Sequence, residues 1–244
     1  MNMTEYNKVK NMTYMEYCDY LQNKYGIPSK DYMTENWYPR STQITRTSEG
    51  LFIHHKCEVH AILLNERNHA MKNPREFQAK ENLVYCDWLE HLYLHFLICK
   101  YPEPIWKDEL VGIGGLVNHL IPELNDLYSG FEPQLLWKVN CWNKIKDDKD
   151  VYITIVTRVI TELNTYKIID IAGYINSSAN AHYGTWSLEK NRLLIDSCLN
   201  AACKIINEKR AEEAKECIKN VPDKTKCELK EEKRHITHKK KKKK

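Results

Sequence analysis

The segment NLVYCDWLEHLYLHFLICK, residues 82–100, decides how this chain is read. Its first five residues, rich in β-branched and aromatic side chains, have strand character. Asp87 follows, with Glu90 three positions later, a pairing that caps a helix N-terminus. The pattern predicts a helix starting at Trp88 and stopping before Pro102. On that helix His91 and His95 stand at i and i+4, with Cβ atoms about 5–6 Å apart on one face. Two imidazoles so placed can share a divalent ion. They also alternate with Leu92, Leu94 and Phe96, as buried core histidines would. On these residues alone both readings stay open.

Upstream, LFIHHKCEVHAILL (residues 51–64) gives a short strand, opened by Gly50, that ends in His54 and His55. A strand-end His54 could supply a third ligand to the helical pair. Three protein ligands with one position left for water or substrate is the catalytic arrangement of a metal site. The order EHLYLH is not His-Glu-x-x-His, and Asp87 stands where the reversed order needs a histidine, so a zinc peptidase is not expected.

Taken in order, IHHK, NLVY, LEHLYLH and FLI resemble the HNH endonuclease motif, the ββα-metal finger. The intervals of nine residues from Asn82 to His91 and four from His91 to His95 match those of the colicin-type motif. The resemblance covers residues 51–100, about a fifth of the chain. It implies that His54, His91 and His95 ligate one divalent ion (Mg, Mn, Zn or Ni) and that His55 is the general base. It further implies that Asn82 holds the base loop in place. Adjacent strand residues point to opposite sides, which fits a division of His54 and His55 into ligand and base. Arg46 and Lys56, and with them Arg40, are the basic residues near enough to contact substrate phosphates. Between His55 and Asn82 the connection is longer than in compact members. It carries His60 and His69, assigned to the surface or to packing, and Glu58, either an added ligand or, as favoured, a salt-bridge residue.

The rest of the chain reads as mostly helical. Residues 12–26 carry Tyr14, Tyr17, Cys18 and Leu21 at helical spacing and end at Gly26, with Pro28 beyond. Residues 28–50 are turn-rich. Residues 106–130 predict one or two helices weakened by Gly112, Gly114, Gly115 and Pro122. Residues 150–167 have helical spacing with a β-branched content that leaves a strand open. A long helix begins after Ser187 and becomes charged all round from about Lys209.

The expected architecture is therefore α+β, predominantly helical, with an embedded ββα-metal finger. Residues 1–50 form an N-terminal helix and irregular segment, 51–100 the motif, 101–208 a helical scaffold, and 209–244 a charged, partly disordered, Lys-rich tail.

Fifteen Tyr and six Trp against four Phe suggest a core that reaches a wet surface. The net charge of +4 is uneven: residues 204–244 hold sixteen Lys/Arg and eight Asp/Glu, which leaves the body mildly acidic. Such a tail either adds non-specific attraction to polyanions or only solubilises. Nine cysteines, an odd number with no C-x-x-C pair, read as reduced small hydrophobes. No run approaches the ~18–20 apolar residues of a membrane span. The first seventeen residues are too polar for a secretory signal, so a cytoplasmic address is expected.

The function expected is a metal-dependent DNA endonuclease that nicks or cuts the duplex. The alternative is a non-catalytic DNA-binding, regulatory or inhibitory protein of a phage or mobile element, with the finger kept as a structural unit. Neither the recognition sequence nor the oligomeric state is written in the sequence.

Overall fold

A computed structural model describes residues 1–102, 111–163 and 187–219. They are mostly helical, with one two-stranded antiparallel sheet. Contacts divide the chain into residues 1–202 and 203–244.

Helix α1 spans Met3–Val9 and α2 spans Tyr14–Tyr25. Thr13 and Glu16 cap α2 reciprocally: the Glu16 carboxylate accepts from the Thr13 backbone at 2.8 Å, and the Thr13 hydroxyl accepts from the Glu16 N–H. Gly26, at φ +82°, closes the helix. Its buried face holds the predicted Tyr14, Tyr17, Cys18 and Leu21.

Strand β1 (Phe52–His55) pairs with β2 (Leu83–Cys86), with His54 opposite Val84 and His55 opposite Leu83. Between them the chain makes short 3₁₀ turns at Lys56–Val59 and Arg75–Gln78, and one helical turn at Arg67–Ala70.

β2 leads directly into the site helix, Trp88–Lys100. The expected cap is present: the Asp87 carboxylate accepts from the Glu90 N–H at 2.8 Å, and Glu90 returns the bond to the Asp87 N–H at 2.7 Å. Eleven of the thirteen residues of this helix are buried; the exceptions are His91 and the terminal Lys100. A helix apolar around its circumference belongs at the centre of a fold. Each Leu or Phe fully buried there stabilises by about 1.5–3 kcal/mol. The buried Glu90 carboxylate is met by the Lys24 ammonium at 2.6 Å and the Tyr25 hydroxyl at 3.1 Å, as a buried charge requires.

Around the site helix pack α2, the helices Leu136–Ile145 and Lys149–Arg158, and a single π-helical turn at Leu116–Leu120. The turn continues into the helix Ile121–Tyr128. Residues 151–163 settle as helix, ending in a second π turn at Val159–Leu163, so packing against the core overrides their β-branched content. Ser187 sits at the start of the last helix, Leu188–Lys219, where its hydroxyl accepts from Lys190 N–H at 3.3 Å. Leu194, Ile195, Cys198 and Ala202 of that helix join the core. In the second unit residues 203–216 are exposed, apart from the half-buried Ile206. The helix thus runs through the charged stretch that begins at Lys209. The terminal lysine run, and the start of the helix expected from residue 106, lie outside the described residues.

Among the described residues, two helices longer than a single turn are not singled out in the sequence, Met3–Val9 and Leu136–Ile145. The seven cysteines described are all free. Among the described residues no helix is long and apolar enough to cross a membrane.

Candidate metal centre

β1, β2 and the site helix bring His54, His91 and His95 together. One ring nitrogen from each lies within 4.8 Å of the other two. The ring centroids are 5.2 Å apart for His54 and His91, 5.4 Å for His54 and His95, and 4.9 Å for His91 and His95. The antiparallel register sets this up. It fixes which side of β1 faces the helix, and His54 is on that side.

Hydrogen bonds choose the tautomers. Tyr14 has one hydroxyl proton, and the Lys56 carbonyl at 3.0 Å takes it, with the His55 carbonyl also in range at 3.3 Å. The hydroxyl oxygen then accepts from His54 Nε2–H at 2.9 Å. This leaves His54 Nδ1 as a bare lone pair, buried and without a hydrogen-bond partner, 3.5 Å from Glu58 Oε2. His95 is fixed likewise: its Nδ1–H donates to the Gly112 carbonyl at 3.2 Å, so Nε2 keeps its lone pair. A second hydrogen bond that orients the imidazole is the usual companion of a metal-binding histidine.

Burial pushes the pKa of His54 and of His91 well below the ordinary value, with neighbouring imidazoles adding to it. Burial also takes His95 down to about 4 against the opposing bond to Gly112. All three rings are therefore neutral at pH 7, the form that binds a cation. Three neutral imidazoles, one with an orphaned buried nitrogen, fit a divalent ion.

The glycines that weaken helix formation at 112–115 have a use here. A Cβ on Gly115 would lie 2.5 Å from His95 Cε1 and 2.8 Å from Nδ1, so only glycine lets the ring sit where it does. Gly112 takes φ +83°.

His55 points away from the cluster, against the Tyr32 ring at 4.5 Å. Its Nε2 lies 3.3 Å from Gln78 Oε1. The Gln78 amide donates to the Leu64 carbonyl at 3.1 Å, which orients Oε1 toward the ring. His55 Nε2 thus carries the hydrogen and Nδ1 the lone pair. Burial lowers its pKa to about 4. His55, His91 and His95 line one cavity of about 760 Å³, together with Glu58, Gly115 and His119.

Asn82 is half-buried and does not line the cavity. Its side-chain amide donates to the Glu76 carbonyl at 2.8 Å, two residues before Gln78. It braces the turn that carries the residue holding His55. Arg46 and Lys56 are engaged elsewhere. Arg46 donates to Glu49 and to the Tyr25 carbonyl, both at 2.7 Å, and lies over the Tyr85 ring. Lys56 donates to Asp19 at 2.9 Å. Neither lines the cavity. His60 packs on Phe77, outside the cluster.

The sequence did not point to Tyr14, Gln78 or Gly115 as parts of the site. Glu58, weighed there as an added ligand or, as favoured, a salt-bridge residue, has its carboxylate 3.5 Å from His54 Nδ1, 3.5 Å from His95 Nε2 and 3.9 Å from His55 Nδ1. Burial pushes its pKa up to about 8, with a bond from the His55 backbone opposing.

Tyr14→Phe is expected to weaken Zn²⁺ or Co²⁺ binding by about 10–100-fold, the usual effect of losing an outer-shell partner. The fold should survive, because the ring stays packed. Isothermal titration of both proteins checks it; equal affinities would mean that the hydroxyl does not set the tautomer of His54.

Comparison of the chain with protein-family models, with curated proteins and with solved structures finds no match.

Proposed function

We propose that the chain is a metal-dependent endonuclease of the HNH type that hydrolyses phosphodiester bonds in DNA. One observation carries the reading. His54, His91 and His95 bring one ring nitrogen each within 4.8 Å of the other two in a strand–strand–helix frame, and His55 lines the same cavity as His91 and His95. The first three residues would hold the ion. The chemistry a bound divalent ion supplies is neutralisation of the scissile phosphate and stabilisation of the departing oxygen. His55 Nδ1 takes a proton from water as the water oxygen bonds to phosphorus. The bond from phosphorus to the 3′ oxygen breaks, and that oxygen takes a proton from a solvent water, leaving a 5′ phosphate and a 3′ hydroxyl. Gln78 holds the His55 tautomer, and Asn82 braces the turn beneath it.

A second reading has its own support. Among the described residues that line the cavity none is Lys or Arg, and Arg46 and Lys56 are tied to carboxylates. A phosphate backbone favours cationic contacts, so this favours a non-catalytic protein that keeps the finger as a structural unit. A plasmid assay separates the two. Supercoiled DNA incubated with Mg²⁺, Mn²⁺, Ni²⁺ or Zn²⁺ should convert to nicked or linear form with at least one ion, and EDTA should stop it. Intact plasmid under every ion would favour the second reading.

A further inference from the structure

We propose that Glu58 is the fourth protein ligand of the histidine centre, making it a three-imidazole, one-carboxylate site. The inference rests on the metal reading of the three histidines. It adds a residue from the 3₁₀ turn just after β1, and chooses the ligand role over the salt-bridge role favoured from the sequence.

The distances decide between a salt bridge and a shared cation. Glu58 Oε2 lies 3.5 Å from His54 Nδ1 and 3.5 Å from His95 Nε2. Charge-assisted N–H···O bonds run about 2.7–2.9 Å, and a contact beyond about 3.2 Å is no longer a good one. Ligand atoms about 2.0–2.1 Å from one ion in tetrahedral array stand about 3.3–3.4 Å apart. The separations from His54 and His95 belong to the second case; only the three histidine nitrogens lie within 4.8 Å of one another, so a bound ion would draw the carboxylate toward His91.

The tautomers agree. His54 Nε2–H is used by Tyr14 and His95 Nδ1–H by Gly112, so the atoms facing Glu58 are both lone pairs. A carboxylate oxygen against two lone pairs is repulsive. It becomes favourable when a positive centre lies among the three. A proton could bridge only one pair at a time, and at 3.5 Å it would bridge neither well. A divalent ion meets all of them together. The carboxylate also lowers the net charge of the loaded site from +2 to +1, which reduces the cost of holding an ion where the described cavity lining contributes no Lys or Arg. A substrate oxygen would then enter as a fifth ligand or by displacing Glu58, and sites of this kind do expand to five-coordinate.

The test uses full-length protein and Co²⁺, whose visible absorption reports its ligand set, with Zn²⁺ titrations for affinity. Glu58→Gln keeps the volume and removes the charge. Expected are one Co²⁺ per wild-type chain, a weakening of roughly 100-fold or more in Glu58→Gln, beyond most outer-shell effects, and a changed visible spectrum. A second measurement needs no variant. The infrared difference between metal-free and Zn²⁺-loaded wild-type protein should show a carboxylate stretch moved by coordination. One ion bound with equal affinity and an identical spectrum in Glu58→Gln, or no carboxylate band in the difference, overturns Glu58 as ligand and leaves the three histidines standing. No Co²⁺ or Zn²⁺ bound by the wild type overturns this inference together with the metal reading beneath it.

Discussion

His55→Ala is expected to lower phosphodiester cleavage by about 10²–10⁴-fold while the protein still binds one divalent ion. The split between the two readouts is the point. His54 and His55 are adjacent, but they open on opposite sides of β1. The ring of His55 packs on Tyr32 and meets Gln78, whereas that of His54 joins His91 and His95. Removing the His55 imidazole takes away the lone pair that Nδ1 keeps on the cavity side of the strand. The three nitrogens that would hold the ion stay where they are. His55 is 1% exposed, so the truncation also leaves a small void, and thermal unfolding should fall modestly. Cleavage by the variant at the wild-type rate would remove His55 as the base. Loss of ion binding along with activity would mean that the two histidines act as one unit.

His95→Ala should produce the opposite pattern, with the ion lost first and activity only as a consequence. His95 is 7% exposed, its Nδ1–H is bound to Gly112, and its other nitrogen faces His54 and Glu58. A wild-type protein in ion at 100 times the dissociation constant gains about 2.7 kcal/mol of apparent stability. The variant should gain almost none, and its melting temperature should not respond to Zn²⁺ over the range that raises the wild-type value. An equal metal-dependent rise in both proteins would show that the ion, if bound, sits elsewhere.

Local signals made part of this molecule readable. The Asp87 and Glu90 pair placed the start of the site helix, the His91 and His95 spacing placed two rings on one face, and strand alternation separated His54 from His55. Each of these depends on residues a few positions apart. What lay hidden depends on distant ones. Tyr14 sits on the buried face of α2 among ordinary core residues, and nothing near it in sequence marks its hydroxyl as the partner of a ring forty positions away. Gln78 reaches His55 across twenty-three positions from a 3₁₀ turn with no periodicity to betray it. Gly115 looked like a helix breaker, and only the nearness of the His95 ring explains it. The helix Leu136–Ile145 escaped because it has no side-chain cap and its apolar residues are spread around it. By contrast, α1 carried a usable cue in Asn2, whose side chain accepts from the Glu5 N–H at 2.9 Å.

The two-stranded ribbon has only four residues on each side, and its pairing sets which of two neighbouring imidazoles meets the helix. Parity along β1 is therefore a chemical quantity. Inserting one residue ahead of Ile53 would send His54 to the Tyr32 side and put Ile53 in its place opposite Val84, facing His91 and His95. The middle of the excursion between the strands, residues 65–74, is under no such constraint. Lineages of this chain should vary freely in the length of that stretch while keeping the count within the ribbon unchanged.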